Sequence, residues 1–332
     1  MAKELLPGFF QLRIPLPNSP LKHLNSYLIL HEDHFTLVDT GLNDPRTYDE
    51  LRRQLSEIGL QAETLTSIIL THFHIDHAGL ISKLRKASNA KLMLHNKEVE
   101  LSKRFSSNSN ALWAETASFF ETNGVHLPLL KQMRKANPRT SNPDVYAELA
   151  KTEIPLKGGE AISVGQYCFQ AIWTPGHSPG HVCLYEPKKH ILVAGDHLLP
   201  TITPNVSQSR KNGNPLTDYL NSLEKIEELS VSLVLPAHEE AFTNHSERIR
   251  QLRLHHQKRA QDILNQLQKQ ELTAYQVSSK IQWDVPYPSW NDFPPLQKYL
   301  AIGEVIAHLK LLQEQGLVKR IQKAGVHYYA ST

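Results

Sequence analysis

The chain has 332 residues, enough for two domains, and 40% of them are hydrophobic, enough for a sizeable core. A net charge of +3 is too mild to demand nucleic acid or an anionic membrane as partner, and two cysteines are too few for a disulfide framework. The first residues, Met1-Ala-Lys-Glu-Leu-Leu-Pro-Gly8, lack the apolar core of a secretory signal, and no apolar run is long enough to span a bilayer. A cytoplasmic enzyme without a membrane partner is expected.

The first region, up to about residue 95, alternates strands and helices. Phe35-Thr-Leu-Val38 reads as a strand that runs into Asp39-Thr-Gly41. A helix is expected over 48–58, with Leu51, Leu55 and Ile58 on one face. Ser67-Ile-Ile-Leu70 reads as a buried strand, and Leu80, Ile81 and Leu84 mark a short helix beyond it. Between them lies the run Thr71-His-Phe-His-Ile-Asp-His77, with four metal-ligand side chains in six residues. On an extended segment residues two apart point the same way, so His72 and His74 can share an ion. The chain then turns, and Asp76 and His77 face elsewhere, which suits two ions better than one. Imidazole favours zinc, and a carboxylate also accepts iron or manganese.

After the strand Lys91-Leu-Met-Leu94 the pattern changes. Residues 97–150 read as a helical insertion, broken around Ser106 to Asn110 and at Pro138 and Pro143. Its place between two ligand groups would let it overhang the metals. Strands resume after Lys157-Gly-Gly-Glu160. Phe169 to Trp173 leads into Thr174-Pro-Gly-His-Ser-Pro-Gly-His181, His190 to Gly195 leads to Asp196, and Val231 to Leu235 leads to His238. Strands that end in glycine, proline and a ligand place the ligands at one rim of a sheet. Cys168 and Cys183 match no zinc or redox spacing and are expected to be buried thiols.

The last region opens with a long helix from Arg248, with Ile249, Leu252, Ile263 and Leu267 on its apolar side. A short helix capped by Thr273 follows, then a proline-marked loop, a helix over 300–312 ended by Gly316, and a hairpin around Gly325.

The ordered series of ligands resembles the metallo-β-lactamase superfamily, on its glyoxalase II-like branch, over about residues 5–245. The resemblance implies an α/β fold, an αββα sandwich of two sheets flanked by helices. It implies one metal held by His72, His74 and His177, a second held by Asp76, His77 and His238, and Asp196 bridging both. Asp39 would support the metal loop. His181 is read first as a packed histidine that fixes the loop of His177, and otherwise as a residue facing the substrate. The antibiotic-degrading zinc enzymes of the superfamily differ at the positions of His77 and Asp196, so β-lactam hydrolysis is not implied. Residues 246–332 resemble the lactamase-associated winged-helix domain through Gln315-Gly-Leu-Val318 and Tyr328-Tyr329, which sets a boundary between domains at 1–245 and 246–332.

Two divalent ions about 3.5–4 Å apart can bridge a water, hold it as hydroxide and polarise a carbonyl or phosphoryl oxygen. Asp76 could accept a proton as well as bind metal. The expected function is a dinuclear metal-dependent hydrolase, with two Zn2+ or alternatively Fe or Mn, acting on a thioester, lactone or other small acyl substrate. The alternative is a single-strand endoribonuclease or phosphodiesterase that uses the basic cluster Arg248, Arg250, Arg253, Lys258 and Arg259 on RNA. A non-catalytic winged-helix regulator ranks third, because the ligand set is complete. A homodimer stays open.

Overall fold

The computed structural model describes residues 1–138 and 142–332. Residues 139–141, inside the expected insertion, lie outside the described residues. The chain forms two compact units, neither of them continuous in sequence. The first comprises Met1–Ser107, Asn142–Pro204 and Ser222–Arg248, and the second Asn108–Ser141, Asn205–Asn221 and Ile249–Thr332.

The first unit contains two sheets. One has seven strands in chain order: β1 (Lys3–Leu6), β2 (Phe9–Pro15), β3 (His23–His31), β4 (His34–Val38), β5 (Leu65–Ile69), β6 (Lys91–His95) and β7 (Ile154–Leu156). Its first four strands pair antiparallel and the rest parallel. Period-two alternation divides its side chains between two cores. Leu12, Ile14, Leu28, Phe35 and Leu37 pack with Leu51 and Leu55 of α1 (Pro45–Glu57), which Asp44 caps, and with Ile81 and Leu84 of α3 (Ile81–Ser88). Phe9, Tyr27, Ile29 and Val38 point the other way and pack against the second sheet. That sheet runs β12 (Leu233–Pro236), β11 (Ile191–Gly195), β10 (Val182–Glu186), β9 (Tyr167–Trp173) and β8 (Ala161–Val164). Its Phe169, Ala171, Leu184, Val193 and Leu235 complete the shared core, where each fully buried large side chain contributes roughly 1.5–3 kcal/mol. The four-residue helix α2 (Ile75–Ala78) precedes α3.

Every strand expected near a ligand is present. Cys183 is buried as expected, but Cys168 is exposed. The reason is alternation: Tyr167, Phe169 and Ala171 turn into the core, and Cys168 lies on the opposite face of β9.

The insertion does not form one body. Helix α4 (Asn96–Thr122) is interrupted at Asn108, whose backbone is non-helical and whose Oδ1 accepts the Ala111 N–H at 2.9 Å, recapping the second half. Before the break, Val99, Leu101 and Phe105 join the core of the first unit, as does α6 (Pro143–Leu149) through Tyr146 and Leu149. After it, Trp113, Ala117 and Phe120 join that of the second, with α5 (Leu127–Ala136).

Helix α7 (Pro215–Glu227) is divided between the units after Asn221, and the second unit also holds α8 (His245–Leu267) from Ile249 onward, α9 (Ala274–Ser278), α10 (Pro295–Glu314) and the hairpin β13 (Val318–Lys323) with β14 (Val326–Ser331). Thr273 caps α9 in a reciprocal box with Gln276. The basic cluster expected on α8 is partly internal. Arg259 is buried, bonds Glu304 at 3.0 Å and the Gln282 carbonyl at 2.7 Å, and lies over the Trp283 ring. His308 on α10 is fully buried, and burial pushes its pKa down to about 3.

Candidate metal centre

Strand register brings the candidate ligands together. In the parallel pair β4 and β5, Val38 stands beside Ile69, so Asp39 and Thr71 leave the sheet side by side. In the parallel pair β11 and β12, Gly195 stands beside Pro236, so Asp196 and His238 leave together. In the antiparallel pair β9 and β10, Trp173 faces Val182, which closes the loop from Thr174 to His181. All of these ends lie in the first unit.

Asp39 organises the first of them. Its backbone is left-handed, with φ of 59°, a conformation that aspartate tolerates better than most residues. Oδ1 accepts the Thr71 N–H at 2.9 Å, while Oδ2 accepts the Thr71 hydroxyl at 2.8 Å and the His77 Nδ1–H at 2.8 Å. The Thr71 proton is thereby committed to Asp39, so Thr71 Oγ1 must accept from His72 Nδ1–H, 3.0 Å away. In their neutral forms both histidines present a bare Nε2. The Nδ1–H of His238 donates to the His23 carbonyl at 2.9 Å, which bares its Nε2 too.

These atoms converge in two clusters. In the first, His72 Nε2 lies 2.9 Å from His74 Nδ1 and 3.3 Å from His177 Nε2, and the last two are 3.0 Å apart. The nitrogens of a tetrahedral zinc site are spaced by about 3.3 Å. In the second, the Asp76, His77 and His238 donor atoms lie within 4.8 Å of one another. Asp196 faces both. Its Oδ1 is 3.5 Å from His77 Nε2 and 3.4 Å from His238 Nε2, and its Oδ2 is 3.4 Å from His177 Nε2. His77 Nε2, His238 Nε2 and Asp196 Oδ1 are buried and accept or donate no hydrogen bond. Buried polar atoms are rarely left so, and a cation at their meeting point would satisfy all three. The donor set, imidazole with carboxylate, fits a divalent transition metal.

The electrostatics agree. Burial, then His77, His74 and His177, hold the His72 pKa well below the ordinary value, which keeps it neutral and able to bind a cation. Burial disfavours charge on His77, but Asp39, Asp196 and Asp76 outweigh it and raise its pKa well above the usual range, so without a metal its Nε2 favours a proton, in the place a cation would take. Burial likewise opposes ionisation of Asp196, yet His238, His77 and His177 hold its carboxyl well below the usual range.

His181 points away from an open face. It is fully buried, donates Nδ1–H to Thr174 Oγ1 at 2.8 Å and accepts the Asp196 N–H on Nε2 at 3.1 Å. It therefore ties the His177 loop to the backbone of Asp196. Gly195 makes room for it, since a Cβ there would lie 2.5 Å from His181 Nε2.

Three supports were not singled out from the sequence. Thr71 sets the His72 tautomer, and a hydroxyl immediately before the ligand run was a signal for it. Glu98 accepts from Ser178 and Gly180 beside His177. Arg248 donates to the carbonyls of Leu199 at 2.6 Å, Thr201 at 3.1 Å and Ile202 at 2.9 Å, holding the segment that follows Asp196. Nothing in local sequence marks the last two roles.

Comparison with known proteins places this arrangement. The family model of the metallo-beta-lactamase superfamily matches residues 21–238. The probable metallo-hydrolase YqjP of Bacillus subtilis is 23% identical over 96% of this chain and 96% of its own length. The atrochrysone carboxyl ACP thioesterase of Aspergillus fumigatus is 22% identical over 75% of this chain and 61% of its own. The crystal structure of the metallo-beta-lactamase family protein TTHA1429 from Thermus thermophilus superposes with a TM-score of 0.80 and 29% identity, covering 99% of this chain and all (100%) of the other. A beta-lactamase domain protein from Burkholderia ambifaria gives 0.79 and 26% over 100% and 95%. With well over half of its length matched by the family model, the chain belongs to the metallo-beta-lactamase superfamily and is a metal-dependent hydrolase.

Proposed function

We propose that the protein is a dinuclear hydrolase of the glyoxalase II-like branch, acting on a thioester, lactone or similar acyl substrate. The observation that carries this reading is the division of Asp196, one oxygen toward His77 and His238 and the other toward His177. A single carboxylate shared by two clusters is placed to serve an ion in each. His72, His74 and His177 would hold one ion and Asp76, His77 and His238 the other, with zinc preferred and iron or manganese compatible. Two bound ions would supply an acidified water and polarisation of the scissile carbonyl at neutral pH.

The chain's own groups do the rest. Asp39 fixes the ring orientation of His77 and, through Thr71, that of His72. Asp76 is the most exposed of the carboxylates at the centre, at 28%, and can accept the proton lost by the attacking water. The thioesterase activity named for the fungal relative supports the acyl class.

The helices and hairpin of the C-terminal residues, 246–332, are read as a winged-helix domain with a buttressing or assembly role, a homodimer included, in a cytoplasmic protein. RNA ranks behind an acyl substrate because two of the five arginines and lysines expected to meet phosphates, Arg248 and Arg259, hold backbone carbonyls of the protein itself.

The test is elemental analysis after zinc or manganese loading, followed by hydrolysis of thioester, lactone, phosphodiester and single-stranded RNA panels. Two ions per chain and turnover of an acyl panel are expected. Binding of no metal refutes the reading. Asp196→Ala should remove most of both ions and lower kcat/KM by at least about a hundredfold.

A further inference from the structure

The loop that carries His177 is held by a charged group that is not itself one of the ligands. Glu98 stands in the first turn of α4, and its side chain is fully buried. Its Oε1 accepts the Ser178 hydroxyl at 2.7 Å and the Gly180 N–H at 2.5 Å. Burying a carboxylate is unfavourable unless donors are aimed at it, and the peptide dipoles at the start of a helix add to those donors. The approach is close enough to require glycine: a Cβ at Gly180 would lie 2.6 Å from Glu98 Cγ and 2.9 Å from His95 Nδ1. Other bonds hold different parts of the loop. Ser222 Oγ donates to the Pro175 carbonyl at 2.9 Å, and Trp173 Nε1–H to that of Pro179 at 3.0 Å. Glu98 is the anchor of the residue that directly follows His177.

His177 is also the member of the first cluster that comes from another loop, since His72 and His74 share one run. The spacing of its Nε2 from those two nitrogens, 3.3 and 3.0 Å, therefore depends on where this loop sits. Asp76, His77 and His238 do not depend on it. We propose that Glu98 is a positioning residue that closes the His72, His74 and His177 cluster and sets its affinity for metal, with a smaller effect on the other cluster, which the loop reaches only through His181 and Asp196. This rests on the two-cluster reading above.

The test is cobalt titration of metal-free protein, read by elemental analysis and by the visible absorption of bound Co2+, alongside circular dichroism for the fold. The wild type should take up two ions. Glu98→Ala should take up one at cobalt concentrations that give the wild type two, matching His177→Ala, with the fold retained. Glu98→Gln, which keeps an acceptor oxygen in place, should recover the second ion. Ser178→Ala, which removes one donor, should weaken one of the two ions by about tenfold. This variant decides the matter if Glu98→Ala does not fold. Two ions bound with wild-type affinity by Glu98→Ala, or by Ser178→Ala in its place, overturn the proposal. A wild type that takes up one ion overturns the two-cluster reading instead, and Glu98 then stands only if Glu98→Ala and His177→Ala weaken that ion alike.

Discussion

Asp39 Oδ2 lies 2.8 Å from His77 Nδ1, and that carboxylate also takes both the amide and the hydroxyl proton of Thr71. One side chain outside the ligand set thus orients a member of each cluster, His77 directly and His72 through Thr71. The arrangement exists because the parallel pairing of β4 and β5 releases Asp39 and Thr71 at the same sheet edge.

Asp39→Ala should consequently weaken metal binding by about ten- to a hundredfold while the protein stays folded. Asp39→Asn should be nearly as harmful. The amide has one acceptor oxygen for three donors, and its NH2 would face a donor. Competition with a chromophoric chelator measures the affinities; wild-type affinity in both variants would refute the orienting role.

Gly195 is the second sensitive point. Its φ is +52°, and an added Cβ would lie 2.5 Å from His181 Nε2 and 2.9 Å from Thr71 Cβ. Gly195→Ala should therefore displace the acceptor of the Asp196 N–H and strain the backbone, at a combined cost of about 2–4 kcal/mol. Urea denaturation reads the stability loss, and metal stoichiometry should fall in parallel.

The candidate ligands stand out in the sequence because each lies just beyond an apolar strand, and strand register then decides which ends meet. What joins them was not. Glu98 is 80 residues from Ser178 and sits in no local pattern, and Arg248, 49 from Leu199, reads in the sequence only as one of a basic cluster. The insertion was recognisable as helical and as broken near Asn108. That the two halves would enter different cores depends on which apolar faces find partners, and periodicity does not report that. Cys168 was misjudged because an apolar-looking strand run does not show which of its alternating faces is covered.

In the second unit, His256 Nδ1–H donates to His308 Nε2 at 3.2 Å, and His308 Nδ1–H donates to the Glu304 carbonyl at 2.8 Å. His256 Nε2 is buried without a partner. Both rings are neutral: burial pushes His308 down to about 3 and His256 well below the ordinary value, and Arg259 and His255 add to the effect on each. The folded pKa is below the unfolded value of about 6.5, so their stability contribution is complete above that value and is lost as pH falls toward 3. Metal-free protein should lose stability between pH 7 and 5. His308→Leu should flatten the fall by up to about 1.4 kcal/mol per pH unit below 6.5. An unchanged slope would show that His308 is protonated in the folded state.

Arg248 separates the acyl and nucleic-acid readings. A guanidinium that neutralised a phosphate would face solvent, and its loss would flatten the salt dependence of single-strand binding by roughly 0.7 units of log–log slope. Here the guanidinium donates to three carbonyls of the segment from Leu199 to Ile202. Glu239, next to His238, holds the same segment through the amides of Thr201 and Ile202 and the Thr201 hydroxyl. Arg248→Ala should therefore cost about 1–3 kcal/mol of stability through the acceptors it abandons. It should disturb turnover of an acyl substrate, because the loosened segment connects to Asp196. RNA affinity at low salt should be weak in the wild type and have the same salt slope in the variant. Sub-micromolar, salt-sensitive binding of single-stranded RNA by the wild type, with a slope reduced by Arg248→Ala, would reverse the order of the two readings.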